Sequence, residues 1–325
     1  MRLNWKLGRW VIVTTLVWLC GYHYNRALDP EVQWIEAIYQ EKQALVTQQQ
    51  VPRRILIFGG SGIHFGVDAL SIEQSIDVPV FNLGLHAGLG LNIMLASLSE
   101  TVRPGDIVLF VPEYDLLKNA GTGHFSSSFG AAINRPGMGG FGPKQKTQEI
   151  LLAGVPGSDR TVQFLKRIMK SSDPPGAVES DANDSYVRRL DRRGTPHVLP
   201  QGSPSPYAVQ TPISQESLRR LKKFQQAIAH AEAQLVIGLP WLLSDGEIAS
   251  RQAVEQWVNT LEPIAPVIYA EDLSLKTDAA LFGDTVYHLS DRGRELRSQQ
   301  LAQQLQTLLQ DEQSAISTPR QASHK

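Results

Sequence analysis

The chain has 325 residues, enough for one large domain or two small ones with a sizeable core. Its 31 lysines and arginines nearly balance 32 aspartates and glutamates, so no domain-wide basic surface points to nucleic acid. A single cysteine, Cys20, excludes an intrachain disulfide framework and a cysteine-rich zinc site.

Arg2, Lys6 and Arg9 precede the uncharged, mostly apolar run Trp10 to Tyr22, which Leu7 and Tyr24 extend toward the ~20 residues of a spanning helix. Tryptophans and tyrosines at its ends suit a membrane interface. No small-x-small cleavage pattern follows, and Trp18 and Leu19 ahead of Cys20 do not suit a lipoprotein signal. The reading is an uncleaved signal anchor over residues 1–25, touching membrane through residues 7–24. The basic residues would stay cytoplasmic, which predicts a single-pass membrane protein with an extracytoplasmic C-terminal domain.

Residues 26–52 carry Val32, Ile35, Ile38 and Leu45 near the helical period, with Pro30 at a helix start, and predict a helical stalk. Ile55 to Phe58 is a short buried strand, VPVFNLG a second ending near Asn82, and Ile107 to Val111 a third. GLNIMLASLSETV, between the second and third, reads as a helix. Later, SQESLRRLKKFQQAIAHAEA is an amphipathic helix capped by Ser214, followed by the strand QLVIGLP, a helix, the strand PVIYA and a closing helix capped by Ser290. Apolar strands alternating with helices predict a doubly wound three-layer α/β/α domain over residues 53–310, with a mostly parallel five-stranded sheet. Residues 117–212 are rich in Gly, Pro and Ser and read as an irregular insertion, and 311–325 as a disordered tail.

The loop GGSGIHFG after the first strand admits three readings. A dinucleotide fingerprint requires G-x-G-x-x-G, but Phe65 stands at the third glycine position, Asn82 replaces the acidic residue after the second strand, and no P-loop lysine is near. A simple turn would use Ser61 as a helix cap. A nucleophile turn would expose the Ser61 hydroxyl, with Gly60 and Gly62 leaving backbone N–H groups free to face an oxyanion. That third reading requires a histidine to take the serine proton and a carboxylate to orient it. Asp284 and His288 lie between the last strand and the last helix, where the chain can return to the sheet edge that bears Ser61.

In these blocks, GGSGIHFGVD, VFNLGLHAGLG, VLFVPEYD and DTVYHLSDRG, the chain resembles the SGNH (GDSL-like) hydrolase superfamily, and within it membrane-anchored members associated with polysaccharide O-acyl transfer. The likeness covers about residues 53–115 and 234–310 and leaves out the insertion. It implies Ser61 as nucleophile, His288 as base and Asp284 as orienting acid, with oxyanion donors from the Ser61 N–H and from Gly88 or Gly84. Two departures stand out. The family's Asp-x-x-His is lengthened to Asp284-x-x-x-His288, which leaves Asp278 as an alternative acid, and Glu113 occupies the place of an asparagine donor. Tyr114 or Asn119 could replace that donor. His64, Glu113 and Tyr114 are candidate cleft residues, and His86 could line the same cleft, although packing roles compete for both histidines.

The expected function is an extracytoplasmic serine esterase or O-acyltransferase acting on acyl, in particular acetyl, esters of cell-surface or secreted polysaccharide. The competing expectation is a non-catalytic accessory protein of the same fold that binds a glycan or a membrane-bound acyltransferase. No cofactor is expected. His124, His197 and His230 show no metal-ligand spacing, so no metal is expected either.

Overall fold

The computed structural model describes residues 2–99, 101–118, 123–155, 190–209 and 212–317. Strands β1 (Ile55–Gly59), β2 (Val80–Asn82), β3 (Ile107–Val111), β4 (Gln234–Gly238) and β6 (Val267–Ile268) form a parallel five-stranded sheet in the order β2-β1-β3-β4-β6. All five lie where the apolar runs placed them. A two-stranded parallel sheet, β5 (Leu242–Leu243) with β7 (Leu275–Lys276), was not anticipated, because two-residue strands leave no periodic signal.

Period-two alternation splits the strand side chains between two layers. Leu56, Phe58, Val108, Phe110, Leu235 and Ile237 face one side, packed against helices α5 (Gly90–Ser99), α9 (Gln215–His230) and α10 (Ile248–Leu261). Ile55, Ile57, Ile107, Leu109 and Val236 face the other, packed against α3 (Ser61–Gly66), α4 (Ala69–Ile76) and the closing helix α11 (Asp291–Ser317). Ser214 caps α9 by accepting from the Ser217 N–H at 3.0 Å, and Ser290 Oγ accepts from the Gly293 N–H at the start of α11. Helix α11 runs to Ser317, past the expected start of a disordered tail, and residues 318–325 lie outside the described residues.

The N-terminal helices differ from expectation. Helix α1 (Arg2–Ala27) is continuous, but among the described residues no helix is long and apolar enough to cross a membrane, so the expected spanning helix is not supported. Gly8, Arg9, the threonine pair and His23 dilute its apolar run. Its C-terminal half also docks on protein: Trp18 Nε1 donates to Leu151 O at 3.0 Å, and buried Asn25 donates to the Ala153 and Val155 carbonyls at 2.9 Å each. Ahead of Trp18 it exposes Trp5, Trp10, Val11, Ile12, Leu16 and Val17. Helix α2 (Pro30–Gln48) is part of the packed body rather than a stalk, with Asp29 as N-cap and Val32, Ile35 and Ile38 buried against Leu89, Ile93, Phe125 and Phe129. The segment read as irregular contains α6 (Tyr114–Lys118) at its start, then α7 (Ser126–Ala132) and α8 (Pro143–Ala153); residues 156–189 lie outside the described residues.

A buried ion pair ties α2 to the foot of the sheet. Arg54 meets Asp106 with two hydrogen bonds, 2.9 Å and 2.6 Å, and also donates to the carbonyls of Val46 and Thr101. Both side chains are almost fully buried, so removing the arginine strands a carboxylate in the core. Arg54→Met should cost roughly 3–5 kcal/mol in urea unfolding, whereas the double variant Arg54→Met/Asp106→Leu should recover much of that loss.

Candidate functional site

Ligands of open α/β sheets bind outside the carboxyl ends of the strands, where the strand order reverses. Here that point lies between β1 and β3, whose register pairs Gly59 with Val111. Two residues beyond each of these stand Ser61 and Glu113. The fold therefore brings the serine turn and the glutamate side by side at the switch point.

The turn is held by Glu113. Its buried carboxylate accepts the Gly60 N–H on Oε2 at 3.1 Å and the Gly62 N–H on Oε1 at 2.9 Å. A Cβ at position 60 would stand 2.3 Å from that carboxylate and one at position 62 would stand 3.2 Å away, which explains the glycine on each side of Ser61. The two N–H groups expected to face an oxyanion thus bind an internal anion. Burial raises the Glu113 pKa, while the N–H donors of Gly62, Glu113 itself and Gly60 pull it back down.

Asp284 and His288 reach the same edge. His288 Nδ1 lies 2.7 Å from Asp284 Oδ1, so Nδ1–H donates to the carboxylate and Nε2 is left as the acceptor of the neutral ring. The longer Asp-x-x-x-His spacing is absorbed by a tight loop. Thr285 Oγ1 accepts the His288 N–H, Gly283 N–H donates to His288 O, and Phe282 bridges Leu289. Asp278 is not the acid; it caps a short 3-10 turn through the Ala280 N–H. The loop rests on α3: the His288 ring packs edge-on to Phe65 with centroids 4.8 Å apart, and Tyr287 lies against Gly62. The return segment of the insertion closes over it, since a Cβ on Gly202 would fall 2.6 Å from Asp284 Cα. Ser61 Oγ has no hydrogen-bond partner among the described residues, and serine–histidine contacts are often loose without substrate.

The remaining expected residues fall in other roles. Gly84 donates its N–H to Asn82 Oδ1 at 3.0 Å and Gly88 donates to His86 Nδ1 at 2.9 Å, so neither N–H is free for an oxyanion. Tyr114 is buried edge-on to Trp257, 4.8 Å between centroids, and burial raises its pKa; it packs in the core rather than lining a cleft. Asn119 lies outside the described residues.

His64 is buried behind the turn in a network that sequence reading did not assemble. Its Nδ1 is 3.0 Å from Lys42 Nζ, and Lys42 also donates to Asn82 Oδ1 at 3.1 Å and Gly84 O at 2.7 Å. Asn82 Nδ2 in turn reaches the carbonyls of Ile63, His64 and Val67. Burial pulls both Lys42 and His64 well below their ordinary pKa values, and Lys42 lowers His64 further. Lys42 was missed because a lysine on an amphipathic helix normally reads as solvent-facing. Among the described residues no three His, Cys, Asp or Glu side chains are placed to hold a metal ion.

A histidine oriented by a carboxylate, at the sheet edge that bears a serine turn, supplies the parts that nucleophilic acyl transfer needs. In comparisons with known proteins, no family model matches the chain and no curated protein matches it. A solved structure described as that of a candidate platelet activating factor from Streptococcus pneumonia is similar over 84% of this chain and 93% of that one, with 11% identity and a TM-score of 0.42.

The Glu113 clamp has a testable pH signature. A carboxyl group whose pKa is raised on folding stabilises the fold fully below its unfolded value, near 4.5, and that contribution is lost as pH rises through the folded value. Stability of the parent relative to Glu113→Gln should therefore fall across that window when both are unfolded in urea. A difference that stays flat or grows with pH would contradict the assignment.

Proposed function

We propose that the chain is a serine-dependent ester hydrolase or O-acyltransferase. The observation that carries this reading is the 2.7 Å Asp284–His288 pair seated on the helix that Ser61 opens. In the proposed reaction Ser61 Oγ attacks an acyl carbonyl while its proton passes to His288 Nε2. The proton is then delivered to the departing alkoxide, and water or a second hydroxyl resolves the acyl-serine by the reverse sequence. Asp284 holds the imidazole in the tautomer that accepts at Nε2.

The acyl group in this proposal is small, in particular acetyl, and the acceptor is a cell-surface or secreted polysaccharide. The exposed tryptophans and aliphatic residues of α1, preceded by basic residues, support membrane attachment through residues 7–24, with the α/β body outside the cytoplasm. A membrane-bound acyltransferase would then be a natural partner. One observation favours the competing reading, a non-catalytic accessory protein that binds a glycan or such an acyltransferase: Glu113 already occupies the N–H groups flanking Ser61.

Turnover of a short-chain aryl acetate by the full chain separates the two readings. Ser61→Ala and His288→Ala should each abolish it in folded protein, and Asp284→Asn should lower kcat by roughly 10³-fold or more by allowing the wrong tautomer. A folded parent without turnover would favour the accessory reading.

A further inference from the structure

Apart from the Ser61 N–H, the oxyanion donors that the sequence suggests are engaged or replaced. Gly84 N–H is held by Asn82, Gly88 N–H by His86, and the N–H groups of Gly60 and Gly62 by Glu113, an acceptor when ionised. What remains on the main chain is the Ser61 N–H, which as the first residue of α3 has no intrahelical acceptor. One backbone donor is little to stabilise a tetrahedral intermediate.

His86 has the chemistry to be the second. It follows β2 in the loop beside the serine turn, and its preceding residue is tied there, with Leu85 N–H donating to Gly59 O at 3.0 Å. Because His86 Nδ1 accepts the Gly88 N–H, the ring proton of the neutral imidazole must lie on Nε2. The ring is fixed edge-on against Trp34 at 6.1 Å and Phe125 at 5.2 Å between centroids, with His124 at 6.0 Å, and it is mostly buried with an edge open to solvent. A Cβ on Gly88 would stand 2.8 Å from Nδ1 and 2.4 Å from the His124 ring, so the glycine makes room for this arrangement.

We propose that the Nε2–H of His86 is the side-chain donor that, with the Ser61 N–H, stabilises the oxyanion in this protein, in place of the asparagine lost to Glu113. The inference rests on the Ser61 reading above. As Ser61 Oγ bonds to the acyl carbon, its proton goes to His288 Nε2 and the carbonyl electron pair moves onto oxygen. Both N–H groups donate to that oxygen until it re-forms the carbonyl and expels the alkoxide, which takes the proton from His288. Burial lowers the His86 pKa to about 4, with His124 and His288 adding repulsion, so the ring is neutral near pH 7 and keeps its acceptor toward Gly88. A neutral imidazole as electrophile suits a site that already holds a base.

The test uses the full chain and the aryl acetate. His86→Phe keeps a ring but removes the donor, and should lower kcat ~100-fold or more with KM changed by less than about threefold. His86→Gln, whose amide nitrogen can donate from nearly the same place, should recover at least ~10-fold of that loss. Thermal melts establish that both variants fold, and the ¹⁵N spectrum of the parent at pH 7 should show His86 as the Nε2–H tautomer whatever the variants do. A folded His86→Phe variant that keeps Ser61-dependent turnover within about threefold, or a His86 protonated on Nδ1, overturns this inference alone. A parent without Ser61-dependent turnover overturns both this inference and the Ser61 reading beneath it.

Discussion

A buried carboxylate between two glycine N–H groups sets the geometry of the candidate site. Glu113 reaches across from the end of β3 to the turn after β1 because the strand register places it there, and the absence of Cβ atoms at Gly60 and Gly62 lets it approach. Each hydrogen bond to a charged acceptor is worth about 1.5–3 kcal/mol. Burying the carboxylate costs several kcal/mol, so the two effects largely cancel. The net consequence is geometric rather than energetic. The Ser61 backbone is pinned in one orientation, and the following helix presents Gly62, Phe65 and Gly66 as the surface on which the Asp284–His288 loop rests.

The opposite side of that turn is held by a second polar network. Lys42, His64, Asn82 and Gly84 connect α2, α3 and the end of β2. Lys42 Nζ lies within hydrogen-bond distance of His64 Nδ1, Asn82 Oδ1 and Gly84 O, and the asparagine amide meets three carbonyls, while His64 Nε2 is buried without a partner. The serine turn is therefore braced by the Glu113 carboxyl group on one side and a lysine-centred network on the other. Neither group is placed as nucleophile or base. Both restrict where the Ser61 hydroxyl can stand relative to His288, and positioning of that kind is a large part of catalysis.

The sheet was legible because buried parallel strands are continuous apolar runs, and Ile55–Gly59, Ile107–Val111 and Gln234–Gly238 fit that pattern. The arrival of the Asp284–His288 loop on α3, the helix that Ser61 opens, follows the rule that strand order confines loops to one sheet edge. What covers a helix was not legible. The apolar stripe of α2 announces a buried face but not its partner, so a helix packed on α5 and α7 looked like a spacer. Hydrogen-bond satisfaction was hidden too: no spacing rule says that Gly84 and Gly88 donate to Asn82 and His86 or that Lys42 points inward. At the N-terminus an apolar run suggested a spanning segment. Tryptophan, threonine and histidine weaken its apolarity, and Trp18 and Asn25 hold the helix against residues 151–155.

The central claim is that Ser61 is a nucleophile activated by His288. The most direct measurement is the intact mass of the full chain after treatment with a serine-reactive fluorophosphonate, with the adduct located by peptide mapping. The account predicts a single adduct on Ser61 that is absent from folded His288→Ala protein. No adduct on Ser61, or one that forms equally fast without His288, would contradict it.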